Sequence, residues 1–331
     1  MALPRPLSAG LLAAALFAAA GAASGATFRF VQISDTHQGP ALHQWRYRKA
    51  VSEINALPFP VECVVHTGDV VCNGVNSPEV ASAAAEIFGS IDAPKIMCPG
   101  NHDIVFQYSD PTNRFLRTAA AYETFFGPLA QAHETSNALY VAVCTESIRR
   151  KDAPALPGFD PLAWLEERLS RTPDKPAFVC THVPDCDDYR DGAFVPAWDD
   201  AGNLAAWRAL LARHANVVAV LAGHFHRNAF AAHPDGPPTI VAPCFASFWQ
   251  RQGAYRVFTY EDGRLSWQDA YVEDPPPGTH VNRLGFAVDA ADDAPPPASP
   301  VDTAAEADGA GADGAGDQGR GDAAAPPTPR P

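Results

Sequence analysis

The sequence predicts an α/β fold with a functional site at the carboxyl ends of its strands. Short runs of β-branched and aromatic residues alternate with helix-type windows along most of the chain, which is the pattern of a sheet flanked by helices. Residues 217–221 are apolar throughout, as expected for a strand covered on both faces. Five of the predicted strands run directly into short polar segments that contain Asp, Asn or His. Ligands bind beyond the carboxyl ends of strands in such sheets, so these segments mark the candidate site.

The predicted elements follow one another without a long interruption. Nine strands are expected, at residues 28–33, 61–66, 95–98, 139–144, 177–181, 217–221, 239–241, 255–260 and 265–271. Five helices are expected, at residues 41–57, 78–90, 114–126, 160–170 and 202–214. The last strands follow each other without helices, which favours antiparallel additions to the sheet. With no internal repeat visible, residues 27–275 are predicted to form one catalytic domain, followed by a short extension at 276–290.

The first 26 residues have the composition of a secretory signal peptide. A basic residue, Arg5, precedes an apolar stretch that is too short to span a bilayer comfortably, and small residues at Ser24–Ala26 follow it. We therefore expect residues 1–26 to be removed and the protein to be exported, either to the periplasm or outside the cell; the alternative is an uncleaved N-terminal anchor. No later stretch approaches the roughly 18 apolar residues of a membrane-spanning helix, so no integral membrane segment is expected after removal.

The last 41 residues are predicted to be a disordered acidic tail. Residues 291–331 contain 12 Ala, 8 Pro, 7 Asp and 6 Gly, with Val301 as the only large aliphatic residue. Such a composition cannot bury enough apolar surface to form a core. The whole chain carries 38 acidic and 24 basic side chains, for a net charge of −14. This balance argues against binding duplex nucleic acid or an anionic membrane surface.

The polar segments that follow the strands point to a metal site. Asp35 and His37 alternate in one segment and His224 and His226 in another, so each pair can present two ligands to the same cation. Each residue alone has an ordinary explanation as a turn former, helix cap or surface histidine. The full set of candidate ligands is Asp35, His37, Asp69, Asn101, His182, His224 and His226.

Seven candidate ligands exceed the needs of one catalytic ion. Imidazole, carboxylate and amide oxygen together suit Fe, Mn or Zn better than Ca or Mg. Two such transition metal ions that share a carboxylate would clamp a transferring phosphoryl group, and they would lower the pKa of a bound water toward about 7 to give a hydroxide nucleophile. The pocket would then be locally positive and would attract the phosphate of a small ester.

At these residues the sequence resembles the calcineurin-like metallophosphoesterase superfamily. The ordered motifs stand here as Asp35-Thr36-His37, Gly68-Asp69, Gly100-Asn101-His102-Asp103, His182 and Gly223-His224-Phe225-His226. The resemblance implies two facing mixed β-sheets flanked by helices, with a binuclear site at the strand ends. It also implies that one metal is held by Asp35, His37, Asp69 and His226. The other would be held by Asp69, Asn101, His182 and His224, with Asp69 as the bridge.

The resemblance further implies that His102 is the catalytic residue. An imidazole titrates near neutrality, which suits it to protonate the leaving alkoxide. Asp103 either orients His102 or caps the next segment, and the sequence does not choose between these roles. Within the superfamily, the sequence resembles the secreted phosphatases and cyclic-nucleotide phosphodiesterases at three places, which are residues 126–128, residues 164–167 and Pro184.

Position 72 departs from two better-known branches. Purple acid phosphatases carry a metal-binding Tyr there and the Ser/Thr protein phosphatases an Asp, whereas this chain has Cys72. One hypothesis is that the Cys72 thiolate touches a metal, and the alternative is a buried thiol. The chain has seven cysteines, an odd number, and their disulfide pairing stays open, including that of Cys180 and Cys186.

The sequence therefore predicts a metal-dependent phosphoesterase that acts on small phosphodiesters or phosphomonoesters. A diester is slightly favoured because of the resemblance alone, and a phosphomonoesterase is the alternative. A different class of function, a non-catalytic exported binding protein on the same fold, would be marked by the loss of a ligand or of His102, and neither is lost. Four aromatic residues, Trp45, Tyr108, Tyr189 and Trp249, could stack on a ring of the substrate, with packing as the default interpretation.

Overall fold

Two mixed β-sheets face each other, and helices cover the outer face of each. The computed structural model describes residues 27–72, 74–75, 77–105, 111–190, 192–246, 253–282 and 285–288. The predicted signal peptide at 1–26 and the predicted tail at 291–331 lie outside the described residues, as do Tyr108 and Trp249.

The first sheet places three parallel strands beside two antiparallel ones. Its strands are β1 (Phe28–Ile33), β2 (Val64–His66), β3 (Lys95–Met97), β12 (Ala254–Glu261) and β13 (Arg264–Tyr271). Their order across the sheet is β13-β12-β1-β2-β3. Strands β1, β2 and β3 are parallel, whereas β12 and β13 are antiparallel, as the lack of helices between them predicted.

The second sheet has a parallel centre and antiparallel edges. Its strands are β4 (Ala130–Glu134), β5 (Leu139–Val143), β6 (Ala177–Cys180), β9 (Val217–Ala222), β10 (Ala229–Ala231) and β11 (Thr239–Val241). The order is β10-β11-β9-β6-β5-β4. Strands β5, β6, β9 and β11 are parallel, and the edge strands β4 and β10 are antiparallel to their neighbours.

The helices form the two outer layers. They are α1 (Ala41–Asn55), α2 (Pro78–Gly89), α3 (Pro111–Phe126), α4 (Glu146–Arg149), α5 (Pro161–Arg171) and α6 (Ala201–Arg213). Helices α1 to α3 pack on the first sheet, and α5 and α6 on the second. Polar caps fix where three of them begin: Ser77 accepts a hydrogen bond from Val80 N, Asp160 from Leu162 N and Ala163 N, and Asp200 from Asn203 N.

Aromatic side chains fill the space between the two sheets. Phe30 of β1 lies 4.5 Å from Phe178 of β6 and 4.7 Å from Phe258 of β12, measured between ring centroids. Tyr140 of β5 stacks on Phe178 at 5.5 Å. All four rings are fully buried. Because alternate residues of each strand point to opposite faces, the other faces of the same strands pack on the helices, which gives a four-layer sandwich.

The structure confirms the predicted fold class and adds several short elements. Two of these are two-stranded ribbons, β7 (Asp188–Arg190) with β8 (Ala193–Val195), and β14 (His280–Val281) with β15 (Ala287–Val288). The second ribbon belongs to the predicted extension at 276–290, and the ring of Phe286 lies beside it, 4.2 Å from the guanidinium of Arg48 in α1. Within the described residues, no helix has the length and apolar character needed to cross a membrane.

Candidate metal centre

Both sheets deliver polar side chains to one place. Asp35 and His37 follow β1, Asp69 follows β2, and Asn101 and His102 follow β3 of the first sheet. From the second sheet, His182 follows β6, and His224 and His226 follow β9. The buried side chain of Gln32 ties the two sheets together beneath them, because its Nε2 donates to Ala222 O and to Thr67 Oγ1, both at 3.0 Å.

One group of possible ligands contains Asp35, His37, Asp69 and His226. Their candidate ligand atoms all lie within 4.8 Å of one another. The Nε2 atoms of His37 and His226 are 3.1 Å apart, His226 Nε2 is 3.2 Å from Asp35 Oδ1, and His37 Nε2 is 3.7 Å from Asp69 Oδ2. Imidazole and carboxylate atoms at these separations surround a volume of the size that one cation needs. This is the set that the family resemblance implied for the first metal.

A second group shares Asp69 with the first. It contains Asp69, His182 and His224, again with ligand atoms within 4.8 Å. His182 Nε2 is 3.1 Å from Asp69 Oδ2 and 3.1 Å from Asn101 Oδ1. His182 Nδ1 donates to Thr67 O at 2.8 Å, which fixes the ring and directs Nε2 toward Asp69. The structure thus brings all seven predicted ligands together, with Asp69 between the two groups.

The backbone is strained at five of these residues. Among the described residues, six non-glycine residues have positive φ, and five of them are Asp35 (54°), His37 (40°), Asp69 (52°), His224 (69°) and His226 (53°). Each such conformation costs about 1–3 kcal/mol and persists only where the surroundings impose it. Strain concentrated on the candidate ligands fits a ligand set whose positions are fixed for binding a cation.

Glycines allow the loops to approach one another closely. A Cβ on Gly223 would clash with Ser34 Oγ and Asp35 Oδ2, and a Cβ on Gly100 would clash with Asp69 Oδ1 and the backbone N of Asp69. The glycines of the Gly-Asn-His and Gly-His-x-His motifs are therefore required by packing against the aspartates. Asp35 is held further by Ser34 Oγ at 2.5 Å and by His224 N at 3.2 Å.

The electrostatics of the buried site favour metal binding. Burial lowers the pKa of His37 to about 3, more than Asp69 and Asp35 raise it, so its imidazole is neutral near pH 7. Burial would also lower the pKa of His182, but Asp69 and its hydrogen bond raise it to about 10. Burial alone would raise the pKa of Asp69. The charges of His182 and His102 outweigh burial, so this pKa lies well below its usual range. A cation held by Asp69 and His182 would replace the proton of His182 as the partner of the Asp69 charge.

His102 lies at the edge of the first group. Its ring is 4.9 Å from that of His37, and its backbone N donates to Asp69 Oδ1 at 2.8 Å. The Nδ1 atom donates to Cys72 O, so Nε2 is the ring nitrogen left to face a substrate. The charge of Asp69 raises the pKa of His102, against burial. An imidazolium held in this way can give up a proton from Nε2.

Asp103 holds two loops of the site together, which is neither of the two roles that the sequence left open. Its carboxylate accepts hydrogen bonds from Gly100 N (2.8 Å), Val71 N (2.9 Å) and Val70 N (3.1 Å). It thus ties the loop after β3 to the loop after β2, and its charge also contributes to raising the pKa of His102. Burial, and next the charge of Asp69, raise its pKa to about 7.

The Cys72 hypothesis is not supported by the geometry. Cys72 Sγ donates to His37 O at 3.0 Å, and burial raises the pKa of its thiol to about 11. Among the described residues, the possible metal-binding groups include Cys244, together with His37 and His226, but not Cys72. Cys244 follows β11 and was not singled out by the sequence because a lone cysteine has no spacing pattern. All seven cysteines are free thiols.

Comparison with known proteins agrees with this site. Residues 28–228 match the family described as calcineurin-like phosphoesterase. A probable glycerophosphodiester phosphodiesterase GpdQ of Arcobacter nitrofigilis is 27% identical over 219 residues, which cover 60% of this chain and 71% of the relative. The glycerophosphodiester phosphodiesterase GpdQ of Enterobacter lignolyticus is 26% identical over 185 residues, covering 53% of this chain and 60% of the relative.

A solved structure shares the fold at low sequence identity. The purple acid phosphatase PPD1 from yellow lupin (Lupinus luteus) seeds superposes with a TM-score of 0.52 and 14% identity, covering 78% of this chain and 54% of that chain. The matched region contains every residue of the two ligand groups, from Asp35 to His226. The chain therefore belongs to the calcineurin-like phosphoesterase family, which uses a dinuclear metal site, and it is an enzyme that hydrolyses phosphoric ester bonds.

Proposed function

We propose that this enzyme hydrolyses small phosphodiesters at a pair of transition metal ions. The observation that carries the proposal is the convergence of two ligand groups on one shared carboxylate, Asp69. Asp35, His37, Asp69 and His226 would hold one ion, and Asp69, Asn101, His182 and His224 the other. The donor set of imidazole, carboxylate and amide oxygen fits Fe, Mn or Zn.

Each part of the site has a distinct task in the reaction. The metal ions, when bound, supply Lewis-acid stabilisation of the phosphoryl charge and an activated water. The fixed ring of His182 and the strained backbone of Asp35 and His37 hold the ligands in position without rearrangement. His102, protonated at Nε2 with Nδ1 bound to Cys72 O, gives its proton to the departing ester oxygen.

The preference for diesters rests on the two relatives, both of which are named glycerophosphodiester phosphodiesterases. A phosphomonoesterase is the competing activity and would use the same ligands. The acidic composition of the chain supports a small substrate over duplex nucleic acid, because a polyanion would be repelled beyond the immediate site.

We also propose export, on the basis of the basic, apolar and small-residue order of residues 1–26. Expression of the full chain followed by N-terminal sequencing of the mature protein tests this. Cleavage near Ala26 supports export, whereas an intact N-terminus in the cytoplasmic fraction contradicts it.

The activity is tested with three substrates and two histidine variants. The metal-loaded mature enzyme is assayed on bis-p-nitrophenyl phosphate, p-nitrophenyl phosphate and an alkyl diester, glycerophosphoethanolamine. We expect both diesters to be hydrolysed with higher kcat/KM than the monoester. A higher kcat/KM for the monoester would identify a phosphomonoesterase instead, and no turnover of any ester with Mn, Fe or Zn would contradict the proposal.

The role of His102 is tested by a difference between leaving groups. An alkoxide needs a proton in order to leave, whereas p-nitrophenolate hardly does. His102→Ala should therefore lower kcat on the alkyl diester by about 10²- to 10⁴-fold and affect the aryl diester much less. The matched control is His133→Ala, in the edge strand β4. Equal losses on both diesters would show that His102 does not act as the acid.

A further inference from the structure

A small hairpin lies in the chain segment that follows the candidate ligand His182. Strands β7 (Asp188–Arg190) and β8 (Ala193–Val195) pair in antiparallel fashion within the segment that leads from the His182 loop to helix α6. Tyr189 is the register partner of Phe194. Cross-strand partners lie on the same face of a hairpin, so these two rings form one aromatic face.

This aromatic face is exposed to solvent. Tyr189 is 55% exposed, Phe194 71% and Val195 44%. The two rings contact each other edge to face, with centroids 5.1 Å apart. Contiguous exposed apolar patches mark binding sites more often than single exposed apolar residues do.

The hairpin is anchored to the loop that carries a metal ligand. Arg227 directly follows His226, and its Nη2 atom donates to the Asp188 carboxylate and, at 2.8 Å, to Tyr189 O. Asp188 is almost fully buried, with 3% exposed. The guanidinium of Arg227 also lies 5.6 Å from the ring of Phe225. In the sequence, Phe225 is the residue between the two histidines of the Gly-His-x-His motif. The base of the hairpin is therefore fixed relative to His224 and His226.

The size of the patch favours a small ligand over a protein partner. An aromatic side chain contributes about 150–250 Å² when fully covered, and these two rings are already partly covered. The patch is thus well below the roughly 800 Å² per partner of a stable protein interface. It does match the area of one aromatic ring.

We propose that Tyr189 and Phe194 bind an aromatic ester group of the phosphodiester whose phosphate is held at the metal centre. The inference rests on the proposed phosphodiesterase function and extends it to the substrate class: one ester group is an aromatic or heteroaromatic ring. Contact with the aromatic faces supplies the binding, and Arg227 positions the hairpin.

The test compares two diesters that release the same leaving group. Methyl p-nitrophenyl phosphate and phenyl p-nitrophenyl phosphate both yield p-nitrophenolate, so the ratio of their kcat/KM values reports the group that stays on phosphorus. The ratio is measured for the metal-loaded wild type, for Tyr189→Ser, for Phe194→Ser and for the double variant. Phe286→Ser, which removes a ring that is 46% exposed and lies over Arg48, is the control.

We expect the wild type to have a higher kcat/KM for the phenyl ester than for the methyl ester. In the double variant this ratio should fall about tenfold, while kcat/KM for the methyl ester stays within twofold of the wild-type value. The control should keep the preference. An unchanged ratio in the double variant would overturn the inference, even with full diesterase activity. A shift in oligomeric state in light scattering with an unchanged ratio would assign the hairpin to self-association and overturn it too. Absence of turnover of both esters by the wild type would instead refute the proposed function, and the inference with it.

Discussion

The imidazoles of His37 and His226 meet through their Nε2 atoms at 3.1 Å, although one follows a strand of the first sheet and the other a strand of the second. Their rings are nearly perpendicular, at 78°. Asp35 lies beside this pair, with Oδ1 3.2 Å from His226 Nε2. A cation held by these atoms would join the two sheets, so metal binding and the stability of the fold should be linked.

Metal removal should destabilise the enzyme. A ligand present at 100 times its Kd contributes about 2.7 kcal/mol, and about 1 kcal/mol shifts the Tm of a domain of this size by roughly 2–4 °C. Dialysis against a chelator should therefore lower the Tm by roughly 5–10 °C, measured by differential scanning calorimetry. The same treatment of Asp69→Asn should produce a much smaller shift. An unchanged Tm of the wild type after complete metal removal would contradict the link.

Gly223→Ala should damage both stability and metal binding, because its Cβ would clash with Ser34 Oγ and Asp35 Oδ2. Overpacking of this kind costs about 1–3 kcal/mol, and displacement of Asp35 should lower the metal content below that of the wild type. Urea unfolding and elemental analysis measure the two effects. Gly89→Ala is the control, since nothing lies within 4 Å of its Cβ position. Wild-type metal content in Gly223→Ala would show that the close packing is not required.

Asp103→Asn should loosen the two loops that carry Asp69 and Asn101. The carboxylate accepts three backbone N–H groups through both of its oxygens, and an amide offers only one acceptor oxygen. At least one buried N–H would lose its partner, at a cost of about 1–3 kcal/mol in the free energy of unfolding. The exposed Asp174→Asn serves as the control in the same urea titration. Equal stability of the two variants would refute the assigned role.

Asp185 should make stability depend on pH in the acid range. It is buried, Thr239 Oγ1 donates to its Oδ1, and His233 Nε2 is 3.3 Å from the same atom. Burial raises its pKa, but His233 and Thr239 lower it by more, so the pKa of Asp185 in the folded protein lies below its usual value of 3.8. A lowered folded pKa stabilises the protein above pH 3.8 and loses that effect as the pH falls through the folded pKa.

The measurement is the free energy of unfolding of wild type and Asp185→Asn between pH 3 and pH 7. The wild type should be more stable by about 1–2 kcal/mol at pH 7, and the difference should shrink toward pH 3. The neighbouring exposed Asp235→Asn should show no such trend. A difference that stays constant over the whole range would contradict the assignment.

Much of the fold follows from hydrophobic periodicity. All nine predicted strands and five predicted helices appear, because each long apolar run packs in the aromatic layer or beneath a helix. The elements that the sequence missed are short or lie at sheet edges. Strand β4 has only five residues, of which Ala130 alone is buried, and β7 and β8 have three residues each. Such segments carry too few residues for a period to be recognised.

The candidate ligands could be predicted because they follow apolar strands, whereas the residues that support them could not. The candidate ligands from Asp35 to His226 are predicted from their place after apolar runs, and the structure brings them together. Gln32 was missed because one polar residue in a buried strand has no pattern, although it joins the two sheets. The part of Asp103 in tying two loops depends on backbone N–H groups that are 32 and 33 residues away along the chain, and no local signal reports such contacts.

The proposed mechanism requires two ions bound around Asp69 for phosphodiester hydrolysis. It is tested by adding Mn²⁺ in known equivalents to the metal-free enzyme and following bis-p-nitrophenyl phosphate hydrolysis. We expect activity to rise until two equivalents per chain are bound. We also expect Asp69→Asn to bind less metal and to turn over at least about 100-fold more slowly. Full activity without metal, saturation at one equivalent, or wild-type behaviour of Asp69→Asn would contradict it.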